Sequence, residues 1–361
     1  MLLKGLRVAG YRAIGSRGLG VQTRRLTVII GPNSSAKTTI LELLSRAWGE
    51  SLGTIEDTYK ALGEPVTLEL ALEMSSSEAA RLLGVKEGPI ECRLSAVYMV
   101  SGAGGRELKR SKLGIECGAL RVSGDGAKEV ARSLGGKVYY ASMERLLDDM
   151  VSIQGGLGLL MYTRFPDPEV YGRLLRWLGL AGRYTRLRLI PLPGGNTARI
   201  EVYDGAAGEW VGLGRTAGGL RLALPYLFLL AAAEPGEAVL IDDLELGLHP
   251  AAQRRAARAV IDTVKRGIQV VLTTHSPLVL GEVLLAARRG ELEKDEVLVV
   301  LLYRDLGGDV AAEHLEPTVP LRPSEKALEA LRELGAAGVF GEEAELALEL
   351  AAASIQRGGG A

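Results

Sequence analysis

The sequence predicts an α/β protein with a mixed sheet core, an antiparallel β layer and a helical subdomain. Three observations carry that expectation. The apolar run Leu26 to Ile30 leads into Gly31-Pro32-Asn33-Ser34-Ser35-Ala36-Lys37-Thr38-Thr39, which reads as a buried strand feeding a loop and then a helix. From Gly218 onward, helices alternate with continuous apolar strands, the pattern of a parallel sheet covered on both faces. Between residues 66 and 140 lie extended runs separated by glycine-rich punctuation, which suggests antiparallel strands.

Taken in order, Leu2 to Val8 and Leu26 to Ile30 read as strands, the first followed by Gly10-Tyr11-Arg12-Ala13-Ile14. Lys37 to Trp48 is the helix after the loop. Val66 to Glu73, Ile90 to Val100, Leu108 to Glu116 and Val138 to Tyr140 are assigned to the antiparallel layer, with Ser101 to Gly105 as a loop. Ser142 to Tyr184 reads helical, broken by Pro166 and Pro168, before strands return at Arg186 to Leu192 and Ala198 to Tyr203. Gly218 to Ala233 is expected as a helix, Ala238 to Asp242 as a strand, Pro250 to Arg266 as a helix and Ile268 to Thr273 as a strand. Val297 to Tyr303 and Val310 to Leu315 follow as strands. Ser324 opens a further helix, and another runs from about Glu342 to Ala353. The chain thus divides into a head over 1–316, with a helical subdomain at 141–185, and a helical tail over 317–361. No fixed-period repeat or long heptad run appears, so no coiled-coil arm is expected.

Composition narrows the function classes. A chain of 361 residues that is 47% hydrophobic supports a sizeable buried core. A net charge of -1 gives no overall basic field toward nucleic acid or anionic lipid, so any such contact needs a local patch. The apolar stretch Leu222 to Ala233 contains Pro225 and falls short of the roughly 20 residues a membrane span needs. No membrane partner is expected, and without a leader pattern the expected location is cytoplasmic. Cys92 and Cys117 are the only cysteines, which excludes a disulfide scaffold and a zinc cluster. Free buried thiols are the default expectation, with a bridge between neighbouring antiparallel strands as the alternative. Asparagine occurs only at Asn33 and Asn196, a composition common in proteins from hot habitats, and a thermophilic source is expected.

The chemistry begins in the loop. In the ordinary phosphate-binding pattern, backbone N–H groups wrap the phosphates, the lysine reaches the outer ones and the following hydroxyl holds magnesium. Gly31, Lys37 and Thr38 fit, whereas Ala36 stands where the second glycine belongs. That position needs close backbone approach or a positive φ, so a Cβ there costs on the order of 1–3 kcal/mol. The apolar strand from Ala238 ends in Asp242-Asp243, placing carboxylates at the edge where ligands bind. Asp242 is the expected magnesium partner through water, and Asp243 is placed to orient an attacking water. The strand ending at Thr273-Thr274 leads to His275, whose imidazole can hydrogen-bond a terminal phosphate.

These residues resemble ABC-type ATPases of the RecF, SMC and OLD kind, particularly the short AAA-15 or AAA-21 branch. The resemblance starts at Tyr11-Arg12, runs through Gly31 to Thr39, and resumes at Thr216-Ala217-Gly218-Gly219-Leu220-Arg221, which is similar to that family's signature segment. It continues through Asp242-Asp243, Leu248-His249-Pro250 and Thr274-His275-Ser276-Pro277. What it implies is a P-loop NTPase of the ABC-ATPase head type that binds ATP and Mg2+. Asn33, Ser34, Ser35 and Thr39 join the loop residues in holding nucleotide, with Lys37, Asp243 and His275 as catalytic groups. Arg12 is then expected near the phosphates, and His249 as a structural residue shaping the turn toward a second subunit. The implied assembly is a homodimer sandwiching ATP, in which Thr216 and the N–H groups around Gly218 cap the nucleotide held by the partner copy.

Three departures bear on turnover: Ala36, Asp243 where most relatives have glutamate, and Leu244 where that branch has proline. The shorter Asp243 retracts its carboxylate by about 1.5 Å, a displacement to which catalysis is sensitive. The expectation is ATP binding with slow hydrolysis; a nucleotide-gated dimerisation module that hardly cleaves ATP is the non-enzymatic alternative, and a transporter subunit ranks lower. A fused nuclease is not expected, because the stretch after the last strand is too short for one. DNA is a candidate partner through Arg173, Arg176, Arg183, Arg186 and Arg188 interleaved with Tyr171, Trp177 and Tyr184. The competing reading is a helical surface whose aromatics face the core.

Overall fold

The computed structural model describes residues 1–333 apart from 50, 55–56, 59–64, 86–87, 101–106, 142–149, 153–155, 179–182 and 319–320. The expected loop at Ser101 to Gly105 and the helix at Glu342 to Ala353 lie outside the described residues. The chain begins β1 (Leu2–Ala9), β2 (Leu19–Gln22), β3 (Leu26–Ile30), α1 (Lys37–Arg46), β4 (Ser51–Thr54), β5 (Val66–Met74), α2 (Ser76–Leu83) and β6 (Ile90–Val100). It continues β7 (Glu107–Cys117), β8 (Leu120–Ser123), α3 (Gly124–Gly135), β9 (Val138–Ala141), β10 (Met150–Ser152), α4 (Gly156–Arg164), α5 (Pro168–Leu178), β11 (Tyr184–Pro191), β12 (Thr197–Asp204) and β13 (Glu209–Gly212). Then come α6 (Gly218–Ala232), β14 (Ala238–Ile241), α7 (Pro250–Lys265), β15 (Gln269–Thr273), α8 (Pro277–Arg288), β16 (Val297–Arg304), β17 (Val310–Leu315) and α9 (Glu325–Glu333).

The central sheet has the order β17-β16-β3-β15-β14-β9. All its pairings are parallel except β16 with β17. Its inner strands β3, β14, β15 and β16 are buried almost throughout because both faces are covered, whereas the edge strand β17 carries Glu313 and the exposed His314. Val28 and Ile30 of β3 enter one core beside α6, α7 and α8, and Ile29 enters the other beside α1. Val138 to Tyr140, expected in the antiparallel layer, is instead an edge of this parallel sheet, with Val138 opposite Ala238. A four-residue apolar run has no period from which to read its partner.

The antiparallel layer is a second sheet of order β2-β1-β5-β6-β7-β4, with β8 added to β7. Along β5, Val66, Leu68, Leu70, Leu72 and Met74 are buried while the residues between them face outward. The inward row joins α1 in one core. Cys92 on β6 and Cys117 on β7 sit opposite each other with Cα atoms 4.2 Å apart and form a disulfide. This corrects the expectation of free thiols: the hairpin register brings the two side chains together.

Within the expected helical subdomain the described residues form α4 and α5 with the short strand β10, and the strands expected after it follow as β11 and β12. α4 and α5 pack with a small sheet in which β12 pairs β11 on one side and β10 and β13 on the other. Pro168 starts α5, where its missing N–H costs nothing, rather than breaking it. Ser324 opens α9 as expected, its hydroxyl accepting from Ala327 N–H at 3.3 Å.

Candidate functional site

Four neighbouring strands of the central sheet end on one edge. β3 delivers the loop, β14 delivers Asp242 and Asp243, β15 delivers Thr273 to His275, and β16 ends in Arg304. Because the strands are parallel, their carboxyl ends converge where open α/β sheets collect ligands. A cleft of about 350 Å³ forms there. Asn33, Ser34, Ala36, Lys37, Thr38 and Thr39 line it from the loop and the start of α1; Arg12, Ala13, Asp243, His275 and Arg304 complete its wall.

Backbone strain is concentrated in this cleft. Among the described residues, the non-glycine residues with positive φ are Arg12 (48°), Ser34 (63°), Ala36 (71°) and Asp243 (47°), and all four line it. Each such conformation costs on the order of 1–3 kcal/mol and persists only where the surrounding structure enforces it. Gly31 is a glycine for a steric reason: a Cβ there would lie 2.1 Å from the Leu302 carbonyl oxygen of β16 and 2.7 Å from Ser35 Oγ. Ser35 is buried beneath the loop, and its Oγ has no hydrogen-bond partner among the described residues.

Lys37 is buried and folds back along the loop, its Nζ donating to the carbonyls of Gly31 at 3.0 Å and Pro32 at 2.8 Å. Burial pulls its pKa down, opposed by the carboxylates of Asp243, Asp242 and Glu245. Asp242 lies behind the cleft, with Thr273 Oγ1 donating to it at 2.6 Å and Thr38 also hydrogen-bonding it. Its pKa is raised, chiefly by burial. The Thr38 hydroxyl beside a buried carboxyl fits a divalent cation, whose charge would favour the ionised carboxylate. Among the described residues no group of three His, Cys, Asp or Glu side chains could hold a metal alone. That donor set suits Mg2+, which completes its shell with water and phosphate oxygens.

Thr273 also fixes Asp243, whose backbone N–H donates to Oγ1 at 2.8 Å. Glu245, which the sequence reading passed over, organises His275. Its Oε1 accepts from the His275 backbone N–H and its Oε2 from Thr274 Oγ1, both at 2.6 Å. A carboxylate three residues after Asp242 in a tight turn was the available signal. Arg12 is no ordinary surface arginine: Nη1 lies 2.6 Å from Glu42 and Nε 2.7 Å from Asp57, beside the fully buried Tyr11. Leu244, in the expected proline position, is fully buried in the core.

Thr216 and Gly218 do not line this cleft. Thr216 Oγ1 donates to Leu213 O at 2.7 Å, and Gly218 is exposed as the first residue of α6. The segment is braced against the turn after Glu245, since a Cβ on Gly219 would lie 2.5 Å from Gly247 O. His249 caps α7, its Nδ1 accepting from Ala251 N–H at 3.4 Å.

Of the two readings of the interleaved arginines and aromatics, the structure favours the surface whose aromatics face the core. Trp177 and Tyr184 are buried, and Tyr171 donates its hydroxyl to Leu187 O at 3.2 Å. α5 is amphipathic, so Trp177 falls on the inward face with Val170 and Leu174. Arg173 donates to Ala231 O, and Arg183 pairs with Asp204. The exposed Arg183 lies 5.6 Å from the Tyr184 ring, Arg186 5.4 Å from the Tyr203 ring and Arg188 4.2 Å from Trp210.

The sheet order, with the loop after β3 and the carboxylates after β14 on one edge, gives the chain the fold of solved Smc head domains. Residues 218–281 match the family described as AAA domain, putative AbiEii toxin, Type IV TA system. In fold the chain is similar to an Smc head bound to the C-terminal winged-helix domain of ScpA, at 14% identity and TM-score 0.56, covering 88% of this chain and 98% of that one. It is also similar to the Smc head of Pyrococcus furiosus with an extended coiled coil bound to the C-terminal domain of ScpA, at 12% identity, TM-score 0.55 and coverage of 92% and 99%. The Smc head of Pyrococcus yayanosii with a coiled coil and joint gives 10% identity, TM-score 0.55 and the same coverages. No curated protein matches the chain in sequence. No helix among the described residues is long and apolar enough to cross a membrane.

Proposed function

We propose that this protein binds ATP with Mg2+ in the cleft after β3 and hydrolyses it slowly. The observation that carries this reading is the gathering of all four strained non-glycine backbones around the loop that holds Lys37. Backbone N–H groups of the loop and the start of α1 would bind phosphates, favoured by the positive end of the helix dipole. Thr38 and Asp242 would hold Mg2+, which supplies charge neutralisation of the phosphate oxygens. Asp243 orients a water, His275 donates to the terminal phosphate, and Glu245 fixes the His275 loop. Ala36 and the short Asp243 keep turnover low.

The exposed N-terminus of α6 at Gly218 supports a homodimer in which each copy caps the nucleotide of the other. The test is titration calorimetry with MgATP, paired with phosphate release and light scattering on the same sample, for wild type and Lys37→Ala. ATP binding that Lys37→Ala abolishes is expected, with the scattering mass rising toward a dimer. Wild-type protein that binds no ATP refutes the reading.

A role on DNA is a second reading, supported by the cation and aromatic face of β11, β12 and β13. Arg186 and Arg188 stacked on Tyr203 and Trp210 offer bases and phosphates a mixed surface. Salt-dependent binding of single-stranded DNA, weakened in Trp210→Ala, is expected; binding that ignores salt or the substitution refutes it. The expected site of action is the cytoplasm.

A further inference from the structure

We infer that Arg304 is a ligand for the terminal phosphate and makes the cleft prefer a nucleoside triphosphate over a diphosphate. This rests on the nucleotide reading above and extends it to a residue on a strand outside the sequence motifs. Of the four strands that end at the cleft, β16 carries no recognised motif, yet its backbone packs directly against the loop at Gly31. The Leu302 carbonyl takes the space where a Gly31 Cβ would stand. Two residues later, Arg304 lines the cleft with Asn33, Ser34 and His275.

The position belongs to a hydrogen-bonded hairpin. Arg304 is in register with Val310 across the β16 to β17 hairpin. The turn between them is closed by Asp305 N–H donating to Asp309 O at 2.8 Å and Gly308 N–H to Asp305 O at 2.8 Å. Asp305 Oδ1 accepts from Gly307 and Asp309 N–H at 2.9 and 3.0 Å. The same turn orients the guanidinium, whose Nη1 donates to Gly308 O at 2.8 Å.

Charge distinguishes Arg304 from the other cations of the cleft. Arg12 is ion-paired to Glu42 and Asp57, and Lys37 spends donors on two loop carbonyls. Among the described residues, no carboxylate lies within ion-pair distance of Arg304. A guanidinium fork held at one nitrogen and lacking a carboxylate matches a phosphate oxygen pair better than a point charge does. Its neighbours are the outer arm of the loop and His275, the group read above as facing the terminal phosphate. The chemistry recognised is therefore the last phosphate of a triphosphate chain.

The test titrates ATP and ADP, each with Mg2+, into wild type, Arg304→Ala and Arg304→Lys, with circular dichroism and a thermal melt on every variant. Arg304→Ala is expected to weaken ATP by about tenfold, the scale of one charge-assisted contact, and ADP by less than about threefold. Arg304→Lys is expected to fall between, because it keeps charge and loses the fork. Wild type that binds ATP while Arg304→Ala binds it equally well overturns this inference alone, as does an equal loss for ATP and ADP. Should Arg304→Ala melt early, the folded Arg304→Lys decides by the same ATP to ADP ratio. Wild type that binds neither nucleotide overturns the underlying reading and this one with it.

Discussion

Replacing Ala36 by glycine isolates the feature that most separates this loop from an ordinary phosphate-binding one. Ala36 holds φ 71° and ψ 20° as the residue before α1. That left-handed conformation costs an L-residue roughly 1–2 kcal/mol, which glycine does not incur. Glycine also loosens the unfolded chain by about 0.4–1 kcal/mol, so the net gain in stability is about 0.5–1 kcal/mol. With 361 residues and roughly 2.1 cal/mol/K of unfolding entropy per residue, such a gain moves Tm by only about 1 °C. Urea unfolding with nucleotide titration is therefore the better assay. The larger effect is on the ligand. Ala36 lines the cleft beside Lys37 and Thr38, and a methyl that holds a phosphate away from the loop costs about one charge-assisted hydrogen bond. At roughly 1.5–3 kcal/mol for that bond, and tenfold per 1.4 kcal/mol, Ala36→Gly should tighten ATP by about ten- to a hundredfold. Unchanged affinity refutes the steric part of this reasoning, and a loss of stability refutes the strain.

Other outcomes follow from the same structure. Glu245→Gln should cut phosphate release about tenfold while leaving ATP affinity within about threefold, since Glu245 acts through the His275 loop; a matching loss of affinity would place it in binding instead. Glu78 is buried, which alone would raise its pKa, but hydrogen bonds from Lys137, the terminal amine of Met1 and Ser75 outweigh burial and lower it to about 2 from 4.5. Its depressed folded pKa stabilises the fold above pH 4.5 by about 3 kcal/mol, lost as pH falls toward 2. Urea midpoints across that window should flatten in Glu78→Gln, and an unaltered slope would remove Glu78 as the cause. Replacing both Cys92 and Cys117 by serine should lower stability by about 3 kcal/mol, as expected for a loop of their separation of 25. A urea midpoint equal to that of oxidised wild type would mean that the bridge constrains nothing.

The site was legible in proportion to how local its chemistry is. Asp242, Asp243 and His275 follow apolar strands within two residues, and Lys37 and Thr38 open the helix after a short loop from β3, so strand and loop together announce where they stand. The arginine and aromatic run at 171–188 shows the opposite case. Charge and aromatic content were visible there, but whether Trp177 faces solvent depends on which side of α5 meets the core, and it meets the core. Tyr203 and Trp210 were passed over because they reach Arg186 and Arg188 only through the pairing of β11, β12 and β13.

The sequence by itself determined the α/β class, the loop after β3 with alanine at position 36, and the carboxylates and histidine that follow β14 and β15. A strand, a turn and a helix start are written in contiguous residues, and their backbone geometry fixes the rest. Only the tertiary structure decided that Cys92 meets Cys117, that Asp57 and Glu42 hold Arg12, that Glu245 fixes His275 and that Arg304 stands over the loop. Those contacts depend on strand order and register, which are set by how whole apolar faces pack, and no short stretch of sequence carries that information.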